Sequence, residues 1–141
     1  MALTRAEREQ FLAQPHVAAL SVDAGAGRGP LTVPIWYRYT PGGEVWVMTD
    51  ADCRKARLIH AAGRFSLMVQ STEPAVRYVS VEGPVTRTSP GSLDLFRTVA
   101  AYYLAPEDVD GCVDIAAQYR GERIVFHMRP EHWLSRDLTP S

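Results

Sequence analysis

The amino-acid sequence predicts a mainly β fold with peripheral helices, in which about six antiparallel strands close into a barrel. Three observations carry this. Apolar residues alternate with a period of two through several short runs. The clearest is LTVPIWYRY (31–39), where Leu31, Val33, Ile35, Tyr37 and Tyr39 share one face. Tight-turn sequences such as PGG (41–43) separate consecutive runs, and strands joined that closely pair antiparallel. A sheet of this kind must also hide its edges, and closure removes them.

The elements follow in order. Thr4 and Glu7 form a capping-box signature, and the helical spacing behind it ends at Pro15. Residues 17–23 (VAALSVD) read as the first strand and the glycine-rich 24–30 as a loop. The run 31–39 is the second strand; Pro34 inside it predicts an edge, a bulge or a ladder break. Residues 44–49 (EVWVMT) return as the third, and a short helix over 52–62 ends at Gly63. RFSLMVQS (64–71) is the fourth strand. VRYVSVEGPVTRT (76–88) is a longer fifth, with Gly83-Pro84 marking a bend or bulge. Ser89 is the expected N-cap, and Pro90 the first position, of a helix reaching Leu104. Its stripe of Leu93, Phe96, Val99, Ala100 and Tyr103 reads as core packing or part of a dimer surface. Pro106 opens a second helical stretch to about Tyr119, weakened by Gly111. ERIVFHM (122–128) is the last strand, Pro130 ends it, and SRDLTPS (135–141) reads as a loose tail.

With 141 residues, the chain is expected to be a single domain over 1–141 with a substantial core. A net charge of −1 argues against broad electrostatic binding of nucleic acid. The start, MALTRAEREQFL, is too charged for a signal peptide, and no apolar run approaches the ~18 residues of a membrane span. A cytoplasmic setting is therefore expected, with Cys53 and Cys112 as reduced thiols. Neither these cysteines nor His16, His60, His127 and His132 have metal-site spacing, so no metal is expected. The serines lie in no G-x-S-x-G context, and the glycine-rich loop lacks the GK[ST] ending of a phosphate loop.

One segment stands apart. Lys55 is the only lysine; the other fourteen basic residues are arginines, and two of them, Arg54 and Arg57, flank it. A helix start leaves backbone N–H groups unpaired, and their partial positive charge favours an anion. Lysine adds a point charge there and arginine a bidentate fork. The segment suits a phosphate; on local sequence alone an ordinary solvated helix face remains open.

The ordered set of elements extends this reading. A strand of the LTVPIWYRY type is followed by a hairpin and a strand ending in Thr49. Next come the short helix with its Arg54-Lys55 pair, a strand of the RFSLMV type, and a strand ending in VEG (81–83). Over residues 4–133 this arrangement resembles the flavin- and deazaflavin-binding split β-barrel proteins. That group includes pyridoxamine 5'-phosphate oxidase and small F420- or FMN-dependent oxidoreductases. The resemblance implies a homodimer with F420 or FMN in a groove where two barrels meet. It implies that Arg54, Lys55 and Arg57 hold the cofactor phosphate, with Thr49 hydrogen-bonding nearby. Pro34, Ile35 and Trp36 would lie along the ring system. Gln70 and Arg77 are further implied contacts, open as to which subunit supplies them. Cys53 stands where such proteins commonly carry a serine.

A flavin or deazaflavin carries hydride chemistry itself, so no acid–base motif is required. The implied activity is hydride transfer between the bound ring and a small, largely apolar organic substrate. Trp36, Tyr37, Trp46 and Tyr78 are candidates for its walls, and Tyr78 is the candidate proton donor. A non-catalytic carrier or sensor on the same fold is the alternative. Arg129 and His132 lack the spacing of the oxidase's substrate-phosphate pair, so oxidation of pyridoxamine phosphate is not expected.

Overall fold

The alternation seen in the sequence resolves into one eight-stranded antiparallel sheet with four helices, in a computed structural model that describes residues 1–140. The strands are β1 (Ala18–Val22), β2 (Leu31–Ile35), β3 (Tyr37–Tyr39), β4 (Val45–Asp50), β5 (Arg64–Ser71), β6 (Arg77–Pro90), β7 (Arg123–Met128) and β8 (His132–Asp137). The helices are α1 (Arg5–Leu12), α2 (Arg54–Ala62), α3 (Leu93–Tyr103) and α4 (Pro106–Ala116). No helix is long and apolar enough to cross a membrane.

The sheet runs β2-β1-β5-β6-β7-β4-β3, with β8 also on β6. Its two ends, β2 and β3, are consecutive pieces of one chain run separated only by Trp36. The sheet therefore curls round on itself, with one half of the run against β1 and the other against β4. This is the split β-barrel expected from the sequence. Pro34 lies opposite Ala19 on the edge strand β2, where its missing N–H costs least, and the ladder breaks two residues later.

β6 is the 14-residue spine. Its first half pairs with β5 on one side and β8 on the other; its second half pairs with β7, after a register shift between Val85 and Arg87. Gly83 sits at the crossing: a Cβ there would lie 1.7 Å from the Arg129 carbonyl oxygen. That close approach lets the Arg129 and Glu131 N–H groups donate to the Pro84 and Glu82 carbonyls at 3.0 and 2.9 Å.

Inward-facing Leu20, Leu67, Val69, Val79, Val81 and Phe126 fill the barrel without exposure, and Leu12 of α1 and Ile59 of α2 join the same core. Full burial of each such side chain contributes about 1.5–3 kcal/mol. A second, smaller cluster holds α3 to α4 through Ala100, Val109 and Val113.

Four expectations need correction. The strands number eight rather than about six, because the run 31–39 divides at Trp36 and β8 adds another. Residues 135–137, expected in a loose tail, belong to β8, where Arg77 ion-pairs with Asp137 at 3.0 Å; Ser141 lies outside the described residues. Ser89 is not a helix cap. β6 continues through Pro90, paired with Ile124, and Ser92 caps α3 by accepting the Leu95 N–H at 3.0 Å. The second helical stretch ends at Ala116, short of Tyr119.

Candidate functional site

β4 ends at Asp50, and Cys53 caps α2 rather than the aspartate before it. The Cys53 sulfur accepts the Ala56 N–H at 3.4 Å and lies 3.6 Å from the Thr49 hydroxyl. A thiol sulfur is a weak acceptor, so this helix start is closed only loosely. Arg57 is held by Asp52 at 3.1 Å. Among the described residues, Arg54 and Lys55 form no ion pair. Arg54 is exposed and Lys55 half-buried. Two uncompensated cations thus stand in the first turn of a nine-residue helix, where the unpaired backbone donors also favour an anion.

β4, the strand that leads into this corner, also walls an apolar groove of about 350 Å³. Pro34, Ile35 and Trp36 form one wall at the ladder break, Trp46 and Met48 of β4 another. Phe96 and Val99 of α3 close over it. None of its lining side chains is charged. A neighbouring hollow of about 340 Å³ shares Val17 and Pro34 with it and extends to Met68 and Gln70. Another, of about 270 Å³, shares Met48 and Phe96 and extends to Thr49. Through these shared residues the three adjoin as one trench from Gln70, past Trp36, to Thr49 and Asp50, with Arg123 also on that end. Val17 and Ile115, on its borders, are 59% and 70% exposed.

The structure thus gathers most of the residues singled out in the sequence. Pro34, Ile35, Trp36, Thr49 and Gln70 line the trench, whereas Arg54, Lys55 and Arg57, on α2 after the end of β4, line none of its three hollows. Tyr78 is directly opposite Gln70 in the β5–β6 ladder and stands beside that end without lining it. Arg77 is engaged by Asp137. Of the expected wall residues, Trp36, Tyr37 and Trp46 do line the groove.

The sequence did not reveal the roof. The α3 stripe read as core or dimer packing supplies Phe96 and Val99 to the groove, while Tyr103 supports Trp36 from behind. The Trp36 and Tyr103 rings stack at 4.9 Å and 7°. An aromatic-rich stripe on an inserted helix was the available signal. Burial raises the Tyr103 phenol to about 12 and pushes the Tyr37 phenol up further, so both remain protonated donors. Tyr37 spends its proton inside the barrel wall, donating to the Leu12 carbonyl at 2.6 Å.

A sheet curled around one broken strand, with a groove at the break, defines the split β-barrel class. Known proteins with this architecture include an F420 reductase, at TM-score 0.70 and 20% identity, covering 89% of this chain and 94% of that one. A FAD-binding protein from Mesorhizobium loti matches at TM-score 0.62 and 19% identity, over 97% and 95% of the two chains. A haem storage protein from Vibrio cholerae matches at TM-score 0.55 and 17% identity, over 92% and 89%. No protein-family model and no curated protein sequence matches the chain. At these identities the likeness establishes the fold.

Proposed function

We propose that the protein is an oxidoreductase that transfers a hydride between bound F420 or FMN and a small, largely apolar organic substrate. One observation carries the reading: β4 supplies Trp46 and Met48 to an uncharged, aromatic-walled groove and leads directly into a helix start bearing two cations without ion-pair partners among the described residues. That combination suits a planar ring joined to an anionic tail, and a flavin or deazaflavin is such a molecule. The F420 reductase and the FAD-binding protein among the structural neighbours support it.

The residues fit the group in detail. Lys55 and Arg54 would hold the phosphate, with the Thr49 hydroxyl 3.6 Å from the Cys53 sulfur that caps the same helix. Arg57 is the third implied contact and must leave Asp52 to join. Pro34, Ile35 and Trp36 would lie along the ring, with Gln70 towards the far end of the trench. Arg77 serves only by exchanging Asp137 for the cofactor. When bound, the ring supplies the hydride chemistry. The chain's own part is to orient it, exclude water with Trp46, Met48 and Phe96, and select uncharged substrates by the absence of a counter-charge. Tyr78 is the candidate for delivering a proton at the Gln70 end. A second copy of the chain, covering exposed Val17 and Ile115, completes the trench as a homodimer.

A non-catalytic carrier is the second reading. It is favoured by the central groove, whose one titratable lining side chain, Tyr37, is already committed to the Leu12 carbonyl. Haem storage is not supported, since no histidine lines the trench among the described residues. Parallel fluorescence titrations with FMN and F420, followed by turnover assays with the reduced cofactors and quinone or nitroaromatic acceptors, test the proposal. Tight ring binding without turnover selects the carrier; no ring binding refutes both.

A further inference from the structure

The β2–β3 break at Trp36 is braced from outside the barrel. Tyr103, in the last turn of α3, reaches the residue just after the break. Its phenol oxygen accepts the Tyr37 N–H at 3.0 Å and lies 2.9 Å from the Tyr37 carbonyl and 3.0 Å from the His16 carbonyl. The single phenolic proton goes to one of those two carbonyls. A side chain here satisfies the backbone of a residue at which the sheet changes partners from β1 to β4. The same ring stacks on Trp36 and meets Tyr102 edge-on at 5.5 Å. Tyr102 in turn donates to the Ala13 carbonyl and carries the Arg38 guanidinium 4.0 Å above its ring. The end of α3 is thus tied to β3 and to the segment between α1 and β1.

We propose that Tyr103 is the positioning residue of the groove. It occupies the Tyr37 N–H and carbonyl at the start of β3, the end strand of the sheet, and props the Trp36 indole, so that α3 sets the surface on which a planar ring would lie. The inference rests on the ring-binding reading above and goes beyond it by giving the helical insert a part in recognition. Tyr103 touches no ligand itself. It acts through Trp36 and through the backbone at 36–37. Removing its oxygen leaves the Tyr37 N–H, a half-buried donor, without a partner, while the stack remains. Removing the whole ring frees the indole to rotate into the groove.

The test uses the full chain with Tyr103→Phe and Tyr103→Leu. Three quantities are read: amide exchange at Tyr37, affinity for FMN and F420, and affinity for ribitol 5-phosphate, which has the tail without the ring. In Tyr103→Phe the Tyr37 amide is expected to exchange faster, and ring-cofactor Kd to rise about five- to tenfold. Ribitol 5-phosphate binding stays unchanged. Tyr103→Leu is expected to weaken ring binding further, again sparing the ring-less ester. A general loss of structure would weaken both ligands together, and that result overturns the proposal. So does ring affinity that survives Tyr103→Phe while the Tyr37 amide is deprotected. Failure of the wild-type protein to bind either ring overturns the cofactor reading itself and is seen before any variant is made.

Discussion

Replacing both Arg54 and Lys55 with alanine removes two cations without ion-pair partners among the described residues from the start of α2. Lys55 is half-buried, so a charge-assisted hydrogen bond from it to a phosphate is worth about 1.5–3 kcal/mol. Arg54 stands in open solvent, where screening and side-chain entropy cut its share to about 0.5–1 kcal/mol. Together they predict a loss of about 2–4 kcal/mol, or about 30- to 700-fold in Kd for FMN or F420. Neither side chain belongs to the core or pairs with a carboxylate among the described residues, so the melting temperature should hold. Fluorescence titration at low and high salt reads the effect. Wild-type affinity should fall with salt, and that of the double variant should be nearly flat. Arg57→Ala is the internal control: with Asp52 already on its guanidinium, it should cost less than Lys55→Ala. Unchanged cofactor affinity in a folded double variant would refute the phosphate assignment.

Three further outcomes are expected. Gly83→Ala places a methyl 1.7 Å from a backbone oxygen that cannot rotate away, so it should destabilise the fold by more than about 3 kcal/mol in a denaturant titration; a loss under about 1 kcal/mol would show that the β6 crossing can relax. Cys53→Ser replaces a weak acceptor with a good one at the α2 N-cap and should raise the melting temperature, with a gain of up to about 1 kcal/mol; a lower melting temperature counts against the cap. Burial lowers His16 and His127 below the ordinary 6.5, the Arg87 charge adding to the effect at His127 and Glu44 opposing it. Their stabilising contribution is complete above the unfolded value near 6.5 and is lost as pH falls below it, because the unfolded chain binds the protons first. The carboxylates with lowered values, Glu7, Glu131 and Asp137, lose theirs only below about 4.5, so a melting curve measured from pH 7.5 to 5 isolates the histidines; a flat profile over that span would contradict the assignment.

Local chemistry accounts for what could be read from the sequence. Alternation through 31–39, the capping box at Thr4 and Glu7, and the stop at Gly63 are short-range signals, and each appears in the structure as expected. The cationic corner was legible because one lysine stands out in an arginine-only background. The missed features depend on partners distant in the chain. β8 forms because β6 offers it an edge more than forty residues earlier, which no local pattern around Pro130 announces. Ser89 and Pro90 carry a genuine N-cap signal, but pairing with Val125 and Ile124 overrides it and moves the cap to Ser92. Tyr103 looked like one more apolar position of a helix, whereas its oxygen answers a peptide 66 residues away.

The manner in which α3 and α4 join the sheet bears on how the groove could vary. Pro90 and Ile124 face each other in the ladder, and the Gly91 N–H donates to the Arg123 carbonyl at 2.9 Å. The chain departs and returns at the same point, where a two-residue hairpin turn would otherwise suffice. The excursion between them, α3 and α4, leaves and rejoins the sheet at one rung of the ladder. Changes of length or sequence within that excursion would alter the groove through Phe96 and Val99 and leave the start of α2 in place, so selection could act on the two parts of the proposed site separately.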